Sequence, residues 1–101
     1  MNLGYYIEIS DGNNKMYYTA RERWNGYFAY SVFNSKCYKS FKNAYKKLEV
    51  AEKRIYYRSN NRTRLNKDNI KINIVKIIMV KEKYVITSTE DEFIKLTLDI
   101  I

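Results

Sequence analysis

The chain has 101 residues, a net charge of +8 at pH 7, one cysteine, and neither histidine nor proline. Without histidine, serine–histidine triads, histidine general bases and the usual zinc sites are excluded. A lone Cys37 excludes an internal disulfide and, with no histidine to activate it, reads as a packing residue. The length suits a single domain, residues 1–101, built around one modest core. No apolar run resembles a secretory leader or reaches membrane-spanning length, so a chain of the reducing cytoplasm is expected.

Tyr5 to Ser10 predicts a first strand, and Asp11 to Asn14 a turn in which Gly12 and the asparagines tolerate positive φ. Lys15 to Trp24 predicts a second strand. Asn25-Gly26 is a strong hairpin signal, because both central residues of the favoured turn need positive φ. Tyr27 to about Asn34 then completes a three-stranded antiparallel meander. A two-residue second turn pairs Trp24 with Tyr27, Glu22 with Ala29 and Tyr18 with Phe33. A four-residue first turn pairs Met16 with Ile9 and Tyr18 with Ile7. One face then carries Ile7, Ile9, Met16, Tyr18, Ala20, Trp24, Tyr27 and Phe33, and is expected to face the core. The opposite face carries Tyr6, Glu8, Tyr17, Thr19, Arg21, Arg23, Phe28, Tyr30 and Val32, with Arg23 across from Phe28 and Arg21 across from Tyr30.

Ser40 is placed to cap a helix, and Phe41, Ala44, Tyr45, Leu48, Ala51 and Ile55 recur at helical spacing. One helix to about Tyr57 is expected, with this stripe on the sheet and Lys42, Lys46, Lys47, Lys53 and Arg54 turned outward or sideways. Glu49 and Lys53 form an i,i+4 pair. Arg58 to Asn69 is polar, basic and asparagine-rich, and reads as a mobile loop. In the strand signal Ile70 to Val80, alternation breaks at Val75, Ile77 and Ile78, which a bulge or burial on both faces would explain. Lys81 to Lys83 turn the chain and Tyr84 to Thr87 return it. The tail begins with a capping-box pattern, Thr89-x-x-Glu92, and Glu90, Asp91 and Glu92 suit the first turn of a helix better than a metal site. Ile94, Leu96, Leu98 and Ile100 also alternate as in a strand; the helix is favoured. The expected fold is α+β: an antiparallel β-meander packed on one long amphipathic helix, completed by a C-terminal hairpin and a short terminal helix.

Charge is unevenly spread. Residues 36–67 carry 11 basic and 2 acidic groups, whereas residues 69–101 carry 5 of each. A localised positive field suggests an anionic partner. Two binding surfaces are candidates. The arginine–aromatic sheet face, with Arg21, Arg23 and Tyr30, could stack bases and hold phosphates; a second layer of core or a protein-facing surface are its alternatives. The helix edge and loop, with Lys39, Lys42, Lys46, Lys53, Arg54, Arg58, Arg62, Arg64 and Lys67, could follow a phosphate backbone; a solvated helix face is its alternative. There is no P-loop, dinucleotide fingerprint, nucleophile elbow, RRM signature or zinc-finger spacing. No catalytic, cofactor or metal residue is assigned.

From Tyr5 to about Leu48, tyrosine-rich short strands lead into "YKSFKNA", an aromatic-x-Ser-x-x-x-Ala helix start at Tyr38, Ser40 and Ala44, and "INIVKIIMV" follows later. This order of parts resembles a class of small phage- and mobile-element-encoded proteins that includes anti-CRISPR inhibitors, some acting on type II effectors. The basic loop and acidic-starting tail depart from the simple pattern. The resemblance implies a small non-enzymatic inhibitor of a host defence nucleoprotein such as a Cas effector, in the cytoplasm of a bacterial host cell. Many such inhibitors mimic DNA with acidic surfaces; a chain at +8 would instead contact guide RNA, DNA or an acidic protein patch. The alternatives are a nucleic-acid-binding accessory protein of a phage or mobile element and, third, a small enzyme such as a nuclease. No membrane partner is expected.

Overall fold

The computed structural model describes residues 3–23, 26–55, 65 and 67–100. Its sheet has five antiparallel strands: β1 (Gly4–Ser10), β2 (Lys15–Arg23), β3 (Gly26–Ala29), β4 (Lys71–Val80) and β5 (Lys83–Ser88), in spatial order β3-β2-β1-β4-β5. Three short helices, α1 (Phe41–Lys46), α2 (Leu48–Arg54) and α3 (Glu90–Ile100), complete an α+β fold. Among the described residues, no helix is long and apolar enough to cross a membrane.

The first hairpin forms as the alternation predicts, with Ile9 opposite Met16. Asp11 closes its turn: the carboxylate Oδ1 accepts from the N–H groups of Asn13 and Asn14, at 2.8 and 2.7 Å. On its other edge β1 pairs with β4 along its whole length, from Gly4 opposite Ile77 to Ser10 opposite Lys71. Directly opposed residues share a face, so Ile7 lies with Ile74 and Ile9 with Ile72, whereas Tyr6 lies with Val75 on the reverse. Both faces are buried. Tyr5, Ile7, Ile9, Met16, Tyr18, Phe28 and Ile74 form the main core with the helices, and Tyr6, Tyr17, Val75 and Ile77 form a second cluster beneath Val32 and Cys37. Burial on both faces therefore explains the broken alternation in β4, whose pairings with β1 and β5 run without a shift.

The second hairpin departs from the expected register. Tyr18 pairs with Phe28 and Arg23 with Gly26, so residues 19–22 of β2 bulge opposite Tyr27 alone. Ala20 takes φ of 64° within this bulge. The Thr19 hydroxyl secures it, lying 2.7 Å from the Arg21 carbonyl oxygen and 2.9 Å from that of Tyr27. The bulge moves Phe28 into the main core, overturning its pairing with Arg23, and Gly26 opens β3 instead of completing the turn. Trp24 and Asn25 lie outside the described residues. Strand β3 stops at Ala29 because Ser31 competes for the backbone: its side chain accepts from the Phe33 N–H and starts a 3-10 turn, Val32–Asn34. Phe33, expected in the core, is 69% exposed.

The chain then returns into the sheet. Lys36 N–H donates to the Tyr18 carbonyl at 2.9 Å, and Tyr38 exchanges two backbone hydrogen bonds with Tyr5, at 2.7 and 2.8 Å. Gly4 permits this approach: a Cβ there would stand 2.6 Å from Cys37 Sγ and 2.7 Å from the Tyr38 carbonyl oxygen.

Ser40 caps α1 as expected, its hydroxyl oxygen accepting from the Asn43 N–H at 3.2 Å. The single long helix does not form. The Lys47 N–H turns back to the Ala44 carbonyl, an i→i−3 bond that tightens the chain and separates α1 from α2. Most of the apolar stripe survives the break, with Phe41, Ala44, Ala51 and Ile55 buried and Leu48 partly so, but Tyr45, expected on the sheet, is 37% exposed. The expected extension to Tyr57 lies outside the described residues.

The tail is helical, but its capping box is not made. The Thr89 hydroxyl donates to the Ile74 carbonyl at 2.5 Å, Ser88 Oγ accepts from the Glu90 N–H instead, and Glu92 accepts from the Tyr5 hydroxyl at 2.5 Å. A chain of rings, Tyr5–Phe41–Tyr45–Phe93, with centroids 6.0–6.2 Å apart, fastens α3 to α1.

Replacing Gly4 by alanine is expected to lower unfolding free energy by about 1–3 kcal/mol, because the neighbours are backbone and a half-buried thiol. Thr89→Val keeps the shape but leaves the Ile74 carbonyl unpaired, so a loss of about 1–3 kcal/mol is expected. Urea denaturation followed by circular dichroism measures both.

Candidate anion-binding surface

Helices α1 and α2 place the candidate cations. Their buried stripe faces the sheet, so the residues between it must point to solvent. Between Lys39 and Arg54 the sequence holds six cations and two carboxylates. Lys39, Lys42, Lys46, Lys47 and Lys53 are all exposed. Lys42 and Lys46, one turn apart on α1, lie on the same side. The expected Lys53–Glu49 pair forms at 3.3 Å, with both side chains largely in water, where it contributes little stability and offsets one positive charge. Among the described residues, Lys42, Lys46 and Lys47 make no ion pair.

Arg54 is placed differently. It is half-buried, donates from Nη1 to the Tyr18 hydroxyl at 2.6 Å, and holds its guanidinium 4.2 Å from the centre of the Tyr27 ring. It thus joins the far end of α2 to β2 and β3. Arg58, Arg62 and Arg64 lie outside the described residues; Lys67 opens a 3-10 turn, Lys67–Asn69. Other exposed lysines sit elsewhere: Lys15 and Lys71 flank Ser10 at one end of the sheet, and Lys81 and Lys83 stand at the β4–β5 turn.

The open arginine–aromatic sheet face is not formed. Tyr6, Glu8, Tyr17 and Thr19 are buried, Phe28 has moved to the main core, and Val32 and Cys37 cover the remainder. This face is a second layer of core, because the chain after β3 folds back over it instead of extending as a strand. Arg21 and Tyr30 are exposed, Arg21 at the bulge of β2 and Tyr30 just beyond β3.

Buried tyrosines surround polar groups that alternation does not reveal. Burial pushes the Tyr17 hydroxyl up to about 12, helped by the neighbouring Glu8 carboxylate, which also lies 4.0 Å from Lys15. Tyr38 is raised to about 12, chiefly by burial and then by Tyr18, with Arg54 opposing. Burial also raises Tyr6, followed by its contact with Cys37. Tyr5 is raised by burial and by its hydrogen bond to Glu92, while Lys76, whose Nζ lies 5.2 Å over the ring, acts in the opposite sense. Where β5 leaves β4 and α3 begins, a groove of about 690 Å³ opens among Ile72, Asn73, Thr87, Ser88 and Phe93. Its lining is mixed, and among the described residues no cluster of three or more cysteines or carboxylates could hold a metal ion.

These four tyrosines prefer the protonated form in the folded chain. Their contribution to stability is present in full below the ordinary tyrosine pKa of about 10 and is lost as pH rises, for Tyr17 and Tyr38 toward about 12. Unfolding free energy measured by urea titration at successive pH values above 9 is expected to fall, and to fall less steeply in Tyr17→Phe. Compared with known proteins, the chain matches no family model, no curated protein and no solved structure.

Proposed function

We propose that this chain is a non-enzymatic binding protein that engages an anionic, nucleoprotein-type surface through the outer side of α1–α2. The observation that supports this most directly is a division of labour within one short segment. Phe41, Ala44, Ala51 and Ile55 are consumed by the core, while Lys42, Lys46 and Lys47 stay exposed and without ion pairs among the described residues. Cations held on a packed helix present a positive field without the entropic loss of ordering a flexible tail. The arginine-rich stretch that follows, with Arg58, Arg62 and Arg64, adds charge next to this side in sequence.

The target class follows from the charge sign and from the sequence resemblance to small phage and mobile-element proteins. An inhibitor with +8 net charge meets guide RNA, DNA or an acidic patch of a Cas effector or similar defence nucleoprotein, and does not imitate DNA. Arg21 and Tyr30, exposed beside the sheet, supply a guanidinium and a ring for the same contact. An accessory protein that binds nucleic acid alone uses the same lysines, and the two readings separate by what must be present for binding.

The double variant Lys42→Glu/Lys46→Glu tests the proposal. Fluorescence anisotropy is measured against a guide-loaded type II Cas effector, the effector without guide, and free single- and double-stranded nucleic acid. Binding to the loaded effector, with suppressed target cleavage, is expected, and the double variant is expected to weaken it at least about tenfold. Tight binding to free nucleic acid, with a log–log salt slope near about −0.7 to −0.9 per phosphate contacted, supports the accessory reading instead. Unchanged affinity in the double variant would overturn any role for this surface.

A further inference from the structure

Strand β5 has β4 on one side and, among the described residues, no strand on the other. It is one outer edge of the sheet, opposite β3, and it is apolar. Tyr84, Val85 and Ile86 are 46%, 38% and 45% exposed, and Met79 and Val80 across the hairpin are equally open. The register puts Tyr84 beside Met79 and Ile86 beside Ile77 on one face, with Val85 beside Ile78 on the other. The edge is therefore apolar above and below its row of backbone N–H and C=O groups. Edge strands are ordinarily blunted by proline, central charges or bulges. This one has none of these between Lys83 and Ser88; its only charge is at its start.

Charge identifies the occupant. The chain carries +8 overall, yet residues 69–101 hold equal numbers of basic and acidic groups, so this edge is the side on which two copies approach without net repulsion. Within it the signs are separated along the strand. Lys81 and Lys83 stand at the turn with Glu82 between them, leaving it net positive, and Glu90 and Asp91 stand just past the other end, all exposed. Two copies aligned antiparallel bring the lysines of each beside the carboxylates of the other; parallel alignment would set like charges together. An antiparallel edge-to-edge contact is its own complement under a two-fold axis and closes at two chains.

We propose that the chain forms a two-fold homodimer by antiparallel pairing of β5 with β5 of a second copy, giving a continuous ten-stranded sheet. The axis stands perpendicular to the sheet, so both α1–α2 layers lie on one side of the dimer. The contact is limited to one strand and its flanking side chains, which places it among weak, concentration-dependent interfaces.

Sedimentation velocity over a concentration series up to about 200 μM tests this. The weight-average mass is expected to rise from that of the 12.2 kDa chain toward twice that value, and no further. Val85→Lys/Ile86→Lys is expected to abolish the rise, with circular dichroism confirming that the fold is kept. Lys81→Glu/Lys83→Glu and Glu90→Lys/Asp91→Lys are each expected to weaken dimerisation about tenfold, and an equimolar mixture of the two is expected to restore it as a heterodimer. Phe33→Lys, which removes an exposed apolar side chain outside the hairpin, should leave the dimer unchanged. A monomer at every concentration, growth beyond two chains, or a charge-reversed mixture that stays monomeric would each overturn the proposal.

Discussion

The rest of the molecule is arranged around β1, which is paired on both edges and buried on both faces. Leaving water costs a backbone its solvent hydrogen bonds, so a strand so enclosed must find partners along its whole length. Strand β4 supplies them on one side. On the other, β2 pairs only near the turn before its bulge, and Tyr38 takes over opposite Tyr5. That substitution is what Gly4 makes room for. It also brings the chain to Ser40 over the main core, from which α1 starts with its apolar stripe already facing the sheet. The position of the lysine-bearing helices thus follows from how the central strand completes its hydrogen bonds.

Tyrosine is the second organising feature. There are eleven in the chain, and several serve as core residues with a polar tip. Tyr18 lies in the main core with its ring 5.5 Å from that of Phe28, while its hydroxyl receives the Arg54 donor. Tyr5 packs edge-on against Phe41 and donates to Glu92. Each ring contributes apolar area, and each hydroxyl fixes the orientation of a neighbouring element, since a buried hydroxyl must be satisfied. Arg54 shows how this can draw a cation away from the surface: the tyrosines make an inward position favourable for a guanidinium that periodicity alone would leave in solvent.

Local signals were legible in the sequence wherever local chemistry decides the outcome. Asp11 in its turn, Ser40 at its cap, the stripe from Phe41 to Ile55 and the β4–β5 hairpin all depend on neighbours within a few residues. What stayed hidden depends on distant partners. Alternation alone could not reveal the bulge at Ala20, because the Thr19 hydroxyl stabilises it by reaching Tyr27 on another strand. Thr89 and Glu92 match a capping box, yet Ile74 and Tyr5 take their side chains. The candidate lysines were readable because exposure on a helix is periodic. The sheet face with Tyr6 and Tyr17 was not, because residues 32–37 cover it.

The pairing of β1 with β4 joins residues 4–10 to residues 71–77, across more than half the length of the chain. Among the five strands the innermost comes first in the chain, and it waits for one of its two neighbours until β4 has been made. Until then its tyrosines and isoleucines have only the first hairpin for cover, and the long loop that must close sets a slow folding step. Formation of the whole sheet is therefore limited by one long-range closure and not by its local hairpins.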